Sequence, residues 1–231
     1  EEERPLLVSI KDITASKDIE AHLQKSLDEK HTLLQEVHHR VKNNMQVISS
    51  MLNLHRHTSD DGTVDAVLND CQLRVQSMSF VHETLYKSDD MSSIDIKSYL
   101  QRLVGSISQF YIGKNPQIKV IINTSDDLTI PIDQATPVGL IVNELVSNCY
   151  KYAFPNDRTG VISVDFIQQE DKRLKLRIAD DGIGMPDEID LKSTKSLGLR
   201  LVRILSENQL HGTLEISKEK GTSFKICFDR E

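Results

Sequence analysis

The chain has 231 residues, of which 38% are hydrophobic and 27% are charged, and its formal net charge is −7. This composition predicts one or two globular domains and excludes a disordered chain. The acidic balance, without a basic block or an Arg/Lys stripe interleaved with aromatic residues, argues against nucleic-acid binding and against attraction to anionic membranes.

The sequence also indicates the cellular compartment. No uninterrupted apolar run approaches the length of a membrane span, so we expect a cytoplasmic fragment that makes no membrane contact. The cysteines, Cys71, Cys149 and Cys227, are odd in number and far apart, which favours reduced core thiols over a disulfide framework or a metal site. Because the chain begins at Glu1 without a methionine, we expect a piece of a longer protein, whose remainder could include a sensor or a membrane anchor.

The first predicted elements are a strand end and a helix start. Residues 5–10, PLLVSI, have the pattern of a short strand, and a helix cap is predicted near Thr14 or Ser16. This junction resembles the last strand of a PAS sensor domain and its exit into a signalling helix. We therefore expect residues 1–15 to be the C-terminal end of a PAS domain.

One long helix is predicted next. From Lys17 to about His57 no proline or glycine interrupts the sequence. The apolar residues recur at three- and four-residue steps, the period of a helix that buries one stripe. The stripe comprises Leu34, Val37, Val41, Met45, Ile48 and Leu52, and His55 continues the same spacing.

Two adjacent histidines of this helix face different surroundings. At about 100° per residue, His39 lies roughly 160° from Val41, whereas His38 lies roughly 60° from it. His39 therefore points outward, with Glu36 and Asn43 at the three- and four-residue spacing that lets a carboxylate or amide touch the imidazole. An outward histidine is usually only a polar surface residue, so this pattern alone does not make His39 a nucleophile.

A second amphipathic helix follows a turn cluster at residues 58–62 and extends to about Tyr86. Two helices joined by a short turn form an antiparallel hairpin. A lone hairpin cannot cover both apolar stripes, so a second copy is expected to complete a dimeric four-helix bundle over residues 16–90. The second stripe comprises Val64, Val67, Leu68, Cys71, Val75, Met78 and Leu85.

Residues 91–231 predict an α+β domain. Helices are expected at about 95–110, 133–153 and 199–208, and strands at 118–122, 129–132, 161–168, 174–179, 213–217 and 223–228. The strand segments alternate with the period of half-buried strands. A mixed sheet with helices on one face, an α/β sandwich, is the simplest packing.

The helix at 133–153 carries candidate metal and phosphate ligands. Glu144 and Asn148 are four residues apart and project from the same face, where two oxygen-bearing side chains could hold a hydrated Mg²⁺. Lys151 follows by one turn, at the distance from which its amine could reach a phosphate. A solvated helix face would show the same pattern, so this segment alone leaves both interpretations open.

Three later segments add to the candidate site. In residues 179–186, ADDGIGMP, the glycines would let the backbone approach a flat ligand, while Asp180 accepts a hydrogen bond from an adenine amino group. Residues 196–200, SLGLR, begin a helix whose N-terminal amides suit phosphate oxygens. Thr222 leads into the last strand, where its hydroxyl could support Asp180 or a bound water.

These segments together resemble a known family. The run His39-Arg40-Val41-Lys42-Asn43-Asn44 resembles the phosphoacceptor box of one branch of the sensor histidine kinases, in which a helical histidine takes a phosphoryl group from ATP. The later segments resemble, in order and spacing, the ATP-binding domain shared by histidine kinases, gyrases, heat-shock chaperones and certain mismatch-repair ATPases. The resemblance covers residues 15–228 and implies ATP and Mg²⁺ as cofactors.

The resemblance also implies a role for each matching residue. It implies Asn148 as the Mg²⁺ ligand, beside Glu144, and Asp180 as the reader of the adenine. Lys151 would contact a phosphate and Tyr152 would flank the adenine. The remaining implied nucleotide-binding residues, in the lid, the loops and the last strand, are Gly182, Gly184, Gly198, Leu199 and Thr222.

The sequence departs from the commonest histidine kinases at two places. Arg40 follows the implied acceptor, where those kinases carry a glutamate as the presumed base, and the loop before Gly198 is poor in glycine. Both features resemble the HisKA_2 and HWE-like branch. The identity of the general base therefore stays open. Glu36 is the first candidate, whereas Asn43 can only orient the imidazole ring.

The resemblance implies an ATP-dependent protein-histidine kinase that phosphorylates its own His39 and passes the phosphoryl group to an aspartate of a response-regulator receiver domain, acting as a homodimer. One alternative is a chaperone-type or topoisomerase-type ATPase in which Glu144 activates water. Another is a dimeric scaffold with a decayed nucleotide site, which the retention of Asn148 and Asp180 argues against. The hairpin that bears His39 separates the kinase from the ATPase, because ATP hydrolysis does not need it.

Overall fold

The long helix predicted near the start of the chain is present. The computed structural model describes residues 14–58, 68, 71–79, 93–112, 117–156, 158–186, 194 and 196–230. Helix α1 spans Thr14–Thr58, so the helix is confirmed. The expected PAS segment before Thr14 lies outside the described residues, as do the turn after α1 and the linker at 87–90.

The described side chains of the apolar stripe of α1 are not fully buried. Val41, Met45 and Leu52 are half-buried, whereas Val37 and Ile48 are exposed. Contacts divide the chain into two units, Glu1–Arg40 and Val41–Glu231.

The second helix, α2, is described over residues 71–79. The predicted stripe is only half-buried at Cys71, Val75 and Met78, whereas Leu73 and Ser77, one turn apart, are buried. Leu73 joins the hydrophobic core of the α/β region that follows. Met78 of the predicted stripe packs against the same core, and the expected burial of the whole stripe in a dimeric four-helix bundle stays a prediction.

The α/β domain, defined here as the elements from β1 to β7, contains a five-stranded mixed sheet. The sheet order is β2-β4-β5-β7-β6, with β2 and β4 parallel and every other neighbouring pair antiparallel. The predicted mixed sheet is therefore confirmed. The elements are β1 (Ser93–Asp95), α3 (Ile96–Ile112), β2 (Ile118–Thr124), β3 (Thr129–Pro131), α4 (Ile132–Asn148), β4 (Gly160–Gln168), β5 (Leu174–Asp180), α5 (Leu197–Ile204), β6 (Thr213–Ser217) and β7 (Ser223–Phe228).

The two faces of the sheet differ in chemistry. Ile162, Val164 and Phe166 of β4 are fully buried in a core shared with α3, α4 and α5. On the opposite face Asp165 pairs with Arg177, with Oδ2 and Nη1 3.0 Å apart, across neighbouring strands. One face is thus covered by helices and the other carries polar cross-strand pairs, as a sandwich predicts.

Three local features differ from the predicted elements. Strand β1, which pairs with β3 in a separate two-stranded sheet, was not predicted because its three residues are too short to show alternation. The helix predicted over 133–153 is α4 followed by a π-helical turn, Cys149–Ala153, and a second such turn, Leu205–Gln209, extends α5. A π-helical turn widens the helix locally and rotates the side chains beyond it, which single-period patterns do not reveal.

All three cysteines are free thiols. None of the described helices combines the length and apolarity needed to cross a lipid bilayer.

Candidate functional site

A cavity of about 440 Å³ lies where β5 ends, between α4 and α5. We call it the Asp180 cavity. It gathers residues that are far apart in the sequence, and the predicted site residues on its wall are Asn148, Tyr152, Asp180, Gly184, Leu199 and Thr222.

Asp180, the last residue of β5, is a buried acceptor held by three donors. Its Oδ1 accepts hydrogen bonds from the backbone N–H groups of Gly182, at 2.9 Å, and Thr222, at 3.3 Å. The Cys149 thiol donates to Oδ2 at 3.6 Å. Thr222 therefore supports Asp180 through its backbone, whereas the sequence suggested its hydroxyl.

The ionisation of this cluster follows from burial. Desolvation raises the pKa of the Asp180 carboxyl above its ordinary value of 3.8, and the Gly182 and Thr222 amides partly offset this rise. Burial, followed by the nearby Asp180 charge, raises the pKa of the Cys149 thiol well above 9.0. The thiol thus stays protonated and acts as a donor, which leaves the carboxylate fixed as an acceptor on the cavity wall.

The loop after Asp180 is pinned against the π-helical turn. The Ile183 N–H donates to the Ala153 carbonyl at 2.9 Å, and a side chain at Gly182 would collide with that same carbonyl oxygen. Gly184 adopts φ +80°, a conformation that favours glycine. Glycine is therefore required at position 182 because the loop packs against Ala153. The sequence pattern did not show this contact, because the two residues are far apart in the chain.

A second cavity of about 250 Å³ adjoins the first, and both share the wall residues Asn148, Tyr152 and Ser196. We call it the Glu144 cavity. Its other walls include Glu144, Lys151 and Gly198. The structure therefore brings the predicted phosphate and metal residues together, next to the cavity that holds Asp180.

Glu144 is engaged by a residue that the sequence analysis missed. Arg74 of α2 forms a forked ion pair with it: Nε donates to Oε1, and Nη2 donates to Oε2 at 3.0 Å. The side chains are only 20% and 9% exposed, respectively. Gly198 permits this arrangement, because a side chain there would collide with Glu144 Oε2.

The start of α5 closes the far side of both cavities. Ser196 is the N-cap residue in an extended conformation, and Leu199 is buried. Leu199 lines the Asp180 cavity with an apolar side chain, so its contribution is packing, and the polar groups there come from the helix backbone.

The predicted acceptor region lies on α1. The side chains of His38 and His39 lie outside the described residues. Glu36 forms an exposed ion pair with Arg40, with its Oε1 3.1 Å from Nε and 2.5 Å from Nη2. The predicted contact between Glu36 and His39 therefore stays a prediction, and Arg40 competes for the carboxylate.

Two family models match separate parts of the chain. Residues 36–111 match a histidine kinase model, HisKA_2. Residues 133–231 match HATPase_c, described as a histidine kinase-, DNA gyrase B- and HSP90-like ATPase. The first range contains His39 and Arg74, and the second contains the other residues of both cavities that we have named.

Relatives and solved structures agree with these matches. Sensor histidine kinase PdtaS of Mycobacterium tuberculosis is 30% identical over 220 residues, 93% of this chain and 42% of that protein. Blue-light-activated histidine kinase 2 of Erythrobacter litoralis is 28% identical over 74% of this chain and 49% of that protein. The structure of an Erythrobacter litoralis blue-light activated histidine kinase superposes with a TM-score of 0.66 at 26% identity, covering 86% of this chain and 59% of that one.

The chain spans less than half the length of these curated relatives. Within this chain the HisKA_2 match precedes the HATPase_c match. It belongs to the sensor histidine kinases of the HisKA_2 type, a family of ATP-dependent enzymes.

Proposed function

We propose that this chain is the kinase core of a two-component sensor, which transfers the γ-phosphoryl group of ATP to its own His39 and then to an aspartate of a response-regulator receiver domain. The observation that carries the proposal is the pair of adjoining cavities, one with a buried carboxylate acceptor and one lined by charged groups. A HisKA_2 segment that contains His39 precedes them in the same chain.

The Asp180 cavity suits the adenine. An ionised carboxylate accepts hydrogen bonds only, so Asp180 complements the adenine amino group and opposes the carbonyl that guanine has at that position. The walls are otherwise mainly apolar, as expected for a flat base. Tyr152 is exposed at the rim that both cavities share, from which its ring can flank the base.

The Glu144 cavity suits the phosphates and Mg²⁺. Asn143 Oδ1 and Ser147 Oγ are buried on its wall with no hydrogen-bond partner among the described residues. Mg²⁺ prefers oxygen ligands and is bound by few protein groups together with water and phosphate oxygens. Asn148 and Glu144 would hold it, and Lys151 would contact a phosphate. When bound, Mg²⁺ would supply neutralisation of the phosphate charge.

The chemistry is an in-line displacement at phosphorus. The lone pair of a ring nitrogen of His39 forms the N–P bond while the bond between the γ-phosphorus and the bridging oxygen breaks, and ADP leaves with that electron pair. A neutral imidazole, available at pH values above about 6.5, is required for attack. The proton on the other ring nitrogen passes to a base, for which we propose Glu36.

The domain organisation belongs to the same proposal. Residues 1–15 would end a PAS domain, residues 16–90 would form the phosphotransfer hairpin and residues 91–231 the ATP-binding domain of a cytoplasmic core. Apolar side chains left exposed on α1, such as Ile48, support a homodimer in which two hairpins form a four-helix bundle.

The main alternative is an ATPase of the chaperone or topoisomerase kind. It needs Glu144 to activate water but does not need the segment that contains His39. The match of residues 36–111 to the HisKA_2 model therefore favours the kinase.

The experiment that tests the proposal is incubation of the chain with γ-labelled ATP, with α-labelled ATP as the control. A histidine kinase gives protein-bound label that is lost in acid and survives base, and only from the γ position. Release of labelled phosphate without any protein-bound label would support the ATPase instead.

A further inference from the structure

Arg74 belongs to the hairpin, yet its side chain lies on the wall of the Glu144 cavity. It is on α2, seventy positions before Glu144, and lines the cavity together with Asn148, Lys151 and Gly198. The cavity that suits the phosphates is therefore built partly by a residue outside the α/β domain.

The contact between Arg74 and Glu144 fixes the direction of the guanidinium. Two N–H groups on one edge of the guanidinium meet the two carboxylate oxygens, a fork that holds both planes in register. Both side chains are largely buried. A forked and partly buried pair is more rigid than an exposed one, because fewer rotamers keep both hydrogen bonds.

The same cavity contains two buried polar side chains whose oxygens could bind a ligand. Asn143, 2% exposed, and Ser147, 6% exposed, present oxygens without a partner among the described residues. Buried polar atoms without partners are costly. Their concentration on this wall indicates that a polar, hydrated or metal-bearing group completes the site.

We propose that Arg74 is a further residue of the phosphoryl-transfer site, contacting the polyphosphate of bound ATP, and that Glu144 is the positioning residue that aims it. The inference deepens the function proposed above and rests on it. It assigns the phosphate site a guanidinium supplied by the hairpin.

A guanidinium can serve both partners. Its five N–H donors form a planar fork, so one edge can hold a carboxylate while another edge meets a phosphate oxygen. Arg74 stays protonated throughout and moves no proton. As the bond to the bridging oxygen breaks, negative charge grows on the departing ADP, and a fixed cation beside it stabilises the transition state more than the ground state.

Two other roles are conceivable for the ion pair between Arg74 and Glu144. If the pair were a latch that holds α2 and α4 in an inactive arrangement, breaking it would raise the rate of phosphoryl transfer. If the pair were only a structural bridge, exchanging the two charges would restore function. The sign of the effect and the outcome of the exchange therefore separate the three accounts.

The test uses the full chain and the variants Arg74→Ala, Arg74→Lys and Glu144→Gln. The matched control is Arg173→Ala, which removes another arginine–carboxylate pair, Arg173–Asp229. Arg173 directly precedes β5, at the end of the strand opposite Asp180. The first readout is the single-turnover rate of protein labelling at saturating ATP. The second is the affinity for an inert ATP analogue, ADP and adenosine, measured by calorimetry, with urea unfolding as the check on folding.

We expect Arg74→Ala to lower the labelling rate about 10²-fold. The variant should bind the ATP analogue with a larger loss of affinity than ADP, and its affinity for adenosine should not change. Arg74→Lys should restore part of the affinity, because it keeps the charge but loses the fork. Glu144→Gln should lower the rate less than Arg74→Ala, and Arg173→Ala should match the parent chain.

Three results would overturn the inference. A faster labelling rate in Arg74→Ala and Glu144→Gln would indicate a latch. Parental kinetics in the exchanged variant, Arg74→Glu with Glu144→Arg, would indicate a structural bridge. Arg74→Lys is chosen to preserve folding. An equal loss of affinity for all three ligands in this variant would show that Arg74 does not contact the phosphates. If the parent chain bound ATP but took no label, the proposed function would fail, while the affinity comparison would still decide the role of Arg74.

Discussion

The α/β domain has a closed hydrophobic core, to which α2 adds Leu73, whereas helix α1 leaves much of its apolar surface exposed. Tyr99, Phe166 and Phe228 of the domain are almost completely buried. On α1 the side chains of Leu23 and Val47 remain 59% and 53% exposed. A closed core can hold a carboxylate such as Asp180 in a fixed place for a ligand, while an open apolar stripe is a surface for another protein chain. We therefore expect that nucleotide binding by the α/β domain and self-association through α1 can be disrupted separately.

The largest effect should come from a charge on the open helix. Ile48→Asp places a carboxylate where a partner helix would bury it, and we expect self-association to weaken about 10³-fold or more. ATP affinity should not change, because neither the Asp180 cavity nor the Glu144 cavity is lined by a described residue of α1. The measurement is molar mass by light scattering over a range of concentrations.

The control for that substitution is Ile121→Asp, which charges an exposed isoleucine of β2 and should leave the mass unchanged. A parental dimer with Ile48→Asp would mean that the open stripe of α1 is not the association surface.

The next effect concerns the closed domain. Asp180→Ala removes the acceptor for the adenine amino group, so ATP affinity should fall about 10²-fold and the preference for ATP over GTP should disappear. Titration with both nucleotides measures this. Asp165→Ala, on the opposite face of the same sheet, is the control. An Asp180→Ala chain that kept its original preference for ATP would refute the role of Asp180.

The third prediction returns to the helix. Glu36→Gln keeps the shape of the side chain but removes the proposed base, so the single-turnover rate of labelling should fall about 10²-fold, with ATP affinity and self-association unchanged. Glu29→Gln, which alters another exposed pair on α1, that with Lys25, is the matched control. An unchanged rate in Glu36→Gln would transfer the role of base to a group elsewhere.

The smallest effect is on stability. Gly182→Ala forces a methyl group against the Ala153 carbonyl and should lower the free energy of unfolding by about 2 kcal/mol. Gly105→Ala, in α3 with open space around it, should instead raise it by about 0.5–1 kcal/mol. Urea unfolding compares the two, and equal effects would mean that the Gly182 loop can shift freely.

The sequence could predict the features that depend on local periodicity, but not those that depend on contacts between distant segments. Periodicity located α1, the sheet strands and α4. All of the predicted nucleotide residues except Gly182 line one or both of the two adjoining cavities. Arg74 could not be found in this way, because its contact with Glu144 joins segments that are seventy residues apart in the sequence. The pinning of Gly182 to Ala153 depends likewise on a π-helical turn that hydrophobic patterns do not mark.

The central claim is that His39 receives the phosphoryl group, and mapping the label in single-histidine variants tests it most directly. We predict that His39→Gln abolishes the acid-labile label while ATP binding is retained, and that His38→Gln keeps the label. Loss of the label in His38→Gln with its retention in His39→Gln would contradict the account.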